Sequence, residues 1–296
     1  MRRLVIAAGL IALGGVVFWT LTMPKTLAPN QTAGLIGNAT KGAQVFWGAG
    51  CASCHMAQGA TGDAELVLSG GQRFASPFGT FLAPNISPDP IRGIGGWTLA
   101  EFANAVTQGV SPEGTHYFPA FPYSAYNKMQ LQDVADLKAF MDVLPPSSAA
   151  SLPHEVSFPF NIRRSLGGWK LLFTNTSWVV TGDLSAAETR GRYLTEALAH
   201  CGECHTPRNA LGGLIRDKWL AGAADPSGNG RIPNITPGAL DWSEDDIVAY
   251  LTTGFTPEYD SAGGHMVHVI ENMSRLPESD RAAISAYLKR VPAVPN

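Results

Sequence analysis

From Leu4 to Met23 the chain runs for 20 residues without a charged side chain. As a helix, that length crosses the hydrocarbon of one bilayer. Arg2 and Arg3 precede the run, and the basic end of such a span stays in the cytoplasm, so the rest of the chain is expected outside. The competing reading is a cleaved export signal. The apolar run is long for one, and the nearest small-residue site, Thr26–Ala28, runs straight into Pro29. Further on, the pattern becomes that of a globular protein. Val134, Leu137 and Met141 recur at three and four residues, as do Ile284, Tyr287 and Leu288, and each set predicts a helix with one buried face. Pro145 and Pro146 stop the first and Pro292 the second. Shorter helices are predicted after Trp97 and Trp242, in GWTLAEFANAVTQGVSP and DWSEDDIVAYLTTGFTP.

These pairs of helices belong to one repeated plan. KGAQVFWGAGCASCH, ending at His55, resembles TRGRYLTEALAHCGECH, ending at His205. Each carries a glycine, an aromatic residue (Phe46 or Tyr193), and two cysteines about two helical turns later. Downstream, PNISP at 84–88 matches PNITP at 233–237. Each half is expected to run helix, cysteine motif, long loop, helix, loop, helix. The motifs stand 150 residues apart, a period that means a duplicated unit rather than a solenoid. The expected organisation is a spanning helix at 1–24, a tether at 25–40, a first unit at 41–147, a connecting segment at 148–183 and a second unit at 184–296. The connecting segment holds Phe158, Phe160, Trp169, Phe173 and Trp178, too many aromatics for a free linker, so it is expected to pack along both units.

A chain of 296 residues holds one large domain or two small ones. Its net charge of −3 gives no ground for nucleic-acid binding. Charged residues make up only 15%, while Gly and Pro number 32 and 21, which suits a loop-rich fold organised by something besides secondary structure. All 4 cysteines fall in two Cys-x-x-Cys-His runs, Cys51–His55 and Cys201–His205. In the oxidising space outside the membrane, such pairs close as disulfides or hold something else. A thioredoxin-like pair sits in a βαβ setting, which is not predicted here. A structural zinc site needs four ligands, and each run supplies three. Two disulfides between such near neighbours would constrain little.

The remaining reading is covalent haem attachment. A spacing of three on a helical turn puts Cys51 and Cys54, and likewise Cys201 and Cys204, on one side to add across the two vinyl groups. His55 and His205 follow at once and reach the iron from that side. The expected cofactors are two haem c groups.

With GCASCH, LAPNISPDPIRGIGGW, HYFPAFPY, NIRRSLGGWKLLF, HCGECHTPRN and PNITP in hand, the chain from about Gly37 to Pro292 resembles the di-haem, membrane-anchored cytochromes c. It is similar to the cytochrome subunits of membrane-bound alcohol, gluconate and related dehydrogenases. Those often carry a third haem domain, whereas this chain has two motifs. The resemblance implies a mainly α fold, two tandem class I cytochrome c-like domains after an N-terminal transmembrane helix. It also implies a distal methionine in the loop before each last helix. In the second unit that place belongs to Met266, after Gly263 and Gly264; Met273, His265 and His268 are its alternatives. In the first unit, relatives often have methionine where this chain has Phe121, and relatives with PAFPY often have it later, at the place of Met129. His116 is the runner-up, and Met141 reads as core.

Around these ligands, the carbonyls near Pro84 and Pro233 are candidates to accept the second imidazole N–H, which sets the tautomer and raises basicity. Asn85 and Asn234 are expected to bond the loop or a propionate. Trp97 and Trp242 are expected at the porphyrin edge, as propionate donors or by packing. Arg208 is a candidate propionate partner through its planar fork, and Arg163 and Arg164 are weaker candidates to lie between the haems. The expected function is periplasmic electron transfer through two haems, with the chain held in the inner membrane by residues 4–23. Its partners are then redox proteins, a donor dehydrogenase and an acceptor cytochrome or oxidase, and not nucleic acid. The rival is a di-haem enzyme, a peroxidase or an oxidase of small sulfur compounds, with an open first haem beside His116 and Glu113.

Overall fold

The computed structural model describes residues 1–226, 228 and 230–295. Helix α1 (Arg2–Leu21) has no charged residue after Arg2 and Arg3, and none of its residues is buried by the rest of the protein. The tether that follows is not slack. Leu27 N–H donates to Asn104 Oδ1 at 2.7 Å, and Asn38 N–H to the buried Asp136 carboxylate at 2.8 Å.

The first unit consists of α2 (Ala39–Gly48), α3 (Cys51–His55), the antiparallel hairpin β1 (Arg73–Ser76) and β2 (Gly79–Leu82), α4 (Leu99–Ala103), α5 (Tyr123–Tyr126) and α6 (Leu131–Met141). After it, α7 (Ser165–Phe173) lies in the connecting segment. The second unit adds α8 (Ala186–Tyr193), α9 (Gly202–His205), the short pair β3 (Ala223–Ala224) and β4 (Arg231–Ile232), α10 (Glu244–Thr253), α11 (Met266–Ser274) and α12 (Glu278–Arg290). The fold is therefore mainly helical, as the sequence led us to expect. Local chemistry explains several boundaries. Thr98 with Glu101, Ser185 with Glu188 and Ser243 with Asp246 form reciprocal caps at the starts of α4, α8 and α10. Gly254 ends α10 in the left-handed conformation, where a side chain would be strained.

The first and last helices of each unit cross in backbone contact, and a glycine makes each crossing possible. A Cβ added at Gly42 on α2 would stand 1.9 Å from the Asp136 carbonyl oxygen of α6. One added at Gly191 on α8 would stand 1.8 Å from the Ala283 carbonyl oxygen of α12. From that glycine to the first cysteine the second unit is one residue longer than the first, and a π-helical turn at Leu194–Leu198 accommodates the extra residue. Buried residues of both units, among them Phe46, Val134, Leu194, Leu220 and Tyr287, belong to one continuous core.

Two elements differ from expectation. The stretch before the last helix of the second unit is not all loop: α11 forms there because Met266, Val269, Ile270 and Met273 fall on one face. The long loop after the first motif contains the hairpin β1–β2, and Glu155 of the connecting segment extends it by pairing with Thr80 at 2.9 and 3.0 Å.

Gly42→Ala and Gly191→Ala should each lower stability by about 1–3 kcal/mol, the usual cost of forcing an extra methyl into a packed crossing. Guanidinium unfolding followed by circular dichroism checks this, and an unchanged midpoint in either variant would contradict the crossing geometry.

Candidate functional site

Each Cys-x-x-Cys-His run forms a single helical turn at the end of a long helix. His55 Nδ1 lies 2.9 Å from the Pro84 carbonyl oxygen, and His205 Nδ1 lies 2.8 Å from that of Pro233. A carbonyl only accepts, so in both rings Nδ1 carries the proton. Burial lowers the pKa of both histidines, against the opposing effect of that hydrogen bond, so the rings are neutral near pH 7. Nε2 of each ring then keeps its lone pair free to bind a metal.

The carbonyls are held by matching scaffolds. Gly70 N–H donates to His55 O at 2.7 Å, and Gly222 N–H to His205 O at the same distance. Both glycines have positive φ, 73° and 81°, and a Cβ on either would meet the backbone at Pro84 or at Ile232–Asn234 within 2.9 Å. Ile86 N–H bonds Leu68 O, and Ile235 N–H bonds Leu220 O, each at 3.0 Å, and both leucines are fully buried. The sequence reading missed this pair of Leu-x-Gly turns; VLSGG beside WLAGA was the available signal.

The asparagines also act alike. Asn85 Nδ2 donates to the Ser147 and Ala149 carbonyls at 2.7 and 2.8 Å, and Asn234 Nδ2 donates to Val294 O at 2.8 Å. They clamp the chain just after the last helix of each unit, with Ser87 and Thr236 closing the same loops. Both side-chain amides are thus engaged by the protein, which favours the loop over a propionate as their partner. Trp97 and Trp242 are half-buried against the core, and the Trp242 ring packs on Tyr250 at 5.1 Å.

Arg208 has partners in its own loop. It donates to Glu203 Oε2 at 2.5 Å, to Glu203 O at 3.0 Å and to Gly212 O at 2.8 Å, so its fork ties the loop that follows the second motif. Arg163 and Arg164 do not lie between the motifs. Arg163 stacks over Phe118 and donates to His116 O, while Arg164 stacks over Trp19 and donates to Thr22 Oγ1.

The two motifs are joined by their neighbours. Tyr126 donates to Ala49 O at 3.0 Å, and its ring meets that of His200 at 5.5 Å. Asn272 of α11 donates to Ser53 Oγ, inside the first motif, at 2.6 Å. Ser124 donates to Glu203, inside the second, at 3.0 Å. Burial pushes the Cys51 and Cys201 thiols up to about 12; burial and then the nearby Cys204 push Cys54 to about 11. These surroundings favour the neutral thiol over the thiolate. Cys54 and Cys204 keep exposed surface, whereas Cys51 and Cys201 are half-buried. Among the described residues no group of three or more His, Cys, Asp and Glu side chains is placed to hold a bare metal ion.

Met129 is 6% exposed and lies in the core at the end of the loop before α6; Met266 is half-buried at the start of α11. Met273 and Met141 are buried on helix faces. His268 bonds Glu271 at 2.8 Å, and His265 is exposed beside Phe74.

Residues 39–145 match the cytochrome c family. A diheme cytochrome c-type protein of Cereibacter sphaeroides is 57% identical over 293 residues, 99% of this chain and 99% of that protein. The chain belongs to the diheme cytochrome c family. The cytochrome is also 39% identical to the fructose dehydrogenase cytochrome subunit of Gluconobacter japonicus, over 83% of this chain and 51% of that subunit. It is 34% identical to the cytochrome c subunit of the quinone alcohol dehydrogenase of Gluconobacter oxydans, over 83% of this chain and 53% of the subunit. The chain therefore spans about half the length of these two subunits. Both of these relatives are cytochrome subunits of dehydrogenases.

Haem c fits the residues present: paired cysteine sulfurs on one turn and an imidazole fixed through Nδ1, with Nε2 free. His116 does not join either motif. Its Nε2 lies 2.9 Å from Thr22 O, at the end of α1, and Glu113 is exposed on the preceding turn. His116 is 3% exposed, and burial lowers its pKa, with Lys170 and Arg164 adding to the shift against the Thr22 hydrogen bond. The unfolded chain therefore binds this proton first as pH falls. Stability from His116 is complete above its ordinary value of 6.5 and is lost as pH falls through the lower folded value. Between about pH 7.5 and about 5.5 the unfolding midpoint of His116→Gln should fall less than that of the parent. Equal falls would show that His116 is not held neutral.

Proposed function

We propose that this cytochrome carries two haem c groups and relays electrons through them, from a dehydrogenase-type donor to a respiratory acceptor. One observation carries the reading: two Cys-x-x-Cys-His turns have the same imidazole-to-carbonyl bond and the same glycine and asparagine supports. A bound haem supplies a one-electron iron centre. Cys51 and Cys54, and Cys201 and Cys204, hold the two groups by thioether bonds. His55 and His205 are their proximal ligands, with Nε2 presented to iron and basicity raised by the Pro84 and Pro233 carbonyls. Met129 and Met266 are the distal ligands. A soft thioether paired with imidazole would raise the potential relative to two histidines. With both methionines bound, neither centre would offer a place for substrate, and His116 is engaged elsewhere.

The bonds of Asn272 and Ser124 support a short relay, because each ties one unit to the other's motif, and the Tyr126 ring meets His200 just before the second motif. The donor reading rests on the dehydrogenase cytochrome subunits among the relatives. Residues 4–23 hold the chain in the inner membrane, with the haem units in the periplasm, a reading supported by the length and flanks of α1.

Low-temperature EPR of the oxidised protein, with a potentiometric titration, tests the ligand assignment. The parent should show two low-spin centres with histidine–methionine character. Met129→Ala and Met266→Ala should each lower one of the two reduction potentials and leave the other in place. A high-spin or bis-histidine centre in the parent would overturn the assignment, and a high-spin one would favour an enzyme.

A further inference from the structure

The connecting segment presents an apolar face that neither haem unit covers. Helix α7 sits directly on the last turn of α1. A Cβ at Gly167 would be 2.3 Å from Thr22 O, and one at Gly168 would be 4.0 Å from Phe18 Cε2. Leu171 and Leu172 follow these glycines by four residues, one turn on along the same face. Both remain exposed, at 52% and 71%. The surface continues sideways. Trp169 donates its indole N–H to Leu211 O at 2.8 Å, and Leu211 is 58% exposed. Next to it, a Cβ at Gly212 would be 3.1 Å from the Phe78 ring, which packs at 5.1 Å on Phe160, itself 47% exposed. An apolar strip therefore runs from Phe18 through Leu172 to Leu211 and Phe160.

From Phe158 to Phe173 the chain also holds Arg163, Arg164 and Lys170 and no acidic residue. The protein itself engages all three. Arg163 and Arg164 make the contacts given above, and Lys170 donates to the Gln108 and Gly109 carbonyls at 2.6 and 2.8 Å. What faces outward is thus mainly apolar, with tryptophans at its margin. Such a surface matches the boundary between headgroups and acyl chains better than water.

Continuity with α1 identifies what covers it. Thr22, the residue after α1, is bonded by His116 at 2.9 Å and by Arg164 at 3.1 Å. There is no slack between the last turn of α1 and α7, so a bilayer that contains α1 meets the strip at its surface. We propose that this strip is a membrane foot: Leu171, Leu172, Leu211 and Phe160 enter the lipid interface beside α1. The proposal rests on the reading of α1 as a retained anchor. With α1 as a pivot and the strip as a second contact, the first unit stands in one orientation over the lipid instead of swinging on a tether.

Single cysteines placed by Leu172→Cys, Leu211→Cys, Leu10→Cys and Asp241→Cys can be spin-labelled on the full-length holoprotein, because its native cysteines are bound to haem. In phosphatidylcholine vesicles, collision with oxygen and with a nickel chelate reports the depth of each label. The Leu172 and Leu211 labels should shift toward the Leu10 value and away from the exposed Asp241 value. The shift should persist without anionic lipid, because the basic side chains are engaged by the protein. If the Leu10 label lies in lipid while those at 172 and 211 match 241, the foot is overturned, the anchor stands, and the strip belongs to a protein partner. If the Leu10 label is itself in water, the anchor reading fails and the foot with it.

Discussion

An imidazole Nδ1–H bonded to a proline carbonyl is the constraint around which both halves of this cytochrome are arranged. The bond settles which ring nitrogen is free, so it decides whether the histidine can be a ligand at all. A loop carbonyl does this only if the loop is rigid. Gly70 and Gly222 return a backbone N–H to the same histidine that the carbonyl accepts from. Asn85 and Asn234 tie the loop to the chain after the last helix, and Gly42 and Gly191 let that helix cross the first one in backbone contact. The ligand, its loop and the helix pair thus form one connected set of contacts in each half.

The halves are not independent modules on a string. One core runs through both, and polar bonds from each reach into the other's cysteine motif. A rigid distance between two redox centres needs such a shared interior. A hinge would let the distance vary, and electron transfer depends on it. The connecting segment strengthens the same arrangement. It extends the first unit's hairpin through Glu155, packs Arg163 on Phe118, and reaches the second unit through the Trp169–Leu211 bond.

Much of this was legible in the sequence. The duplicated cysteine runs, the helix faces that end in proline, and the aromatic density of the connecting segment each follow from local pattern. The Pro84 and Pro233 carbonyls were named from the repeat, although nothing local showed that a ring nitrogen would meet them. Other features were harder to see. The α11 helix was hidden by the two glycines before it, although Met266, Ile270 and Met273 carried its period. The hairpin β1–β2 has weak alternation, and part of its pairing comes from Glu155, far away in sequence. The partners of Arg208, Arg163 and Arg164 were not legible either, for a physical reason. A long cationic side chain takes whichever acceptor or ring the tertiary fold brings near, and for these three it was Glu203, Phe118 and Trp19.

The proposed relay requires that each cysteine pair hold one haem by covalent bonds, with no cysteine left free. Intact-mass measurement of the denatured full-length protein, after treatment with a thiol-alkylating reagent, tests it most directly. The account predicts the mass of the polypeptide plus two haems, with no alkyl group added. A mass with one haem or none, or alkylation at either Cys-x-x-Cys run, would contradict it.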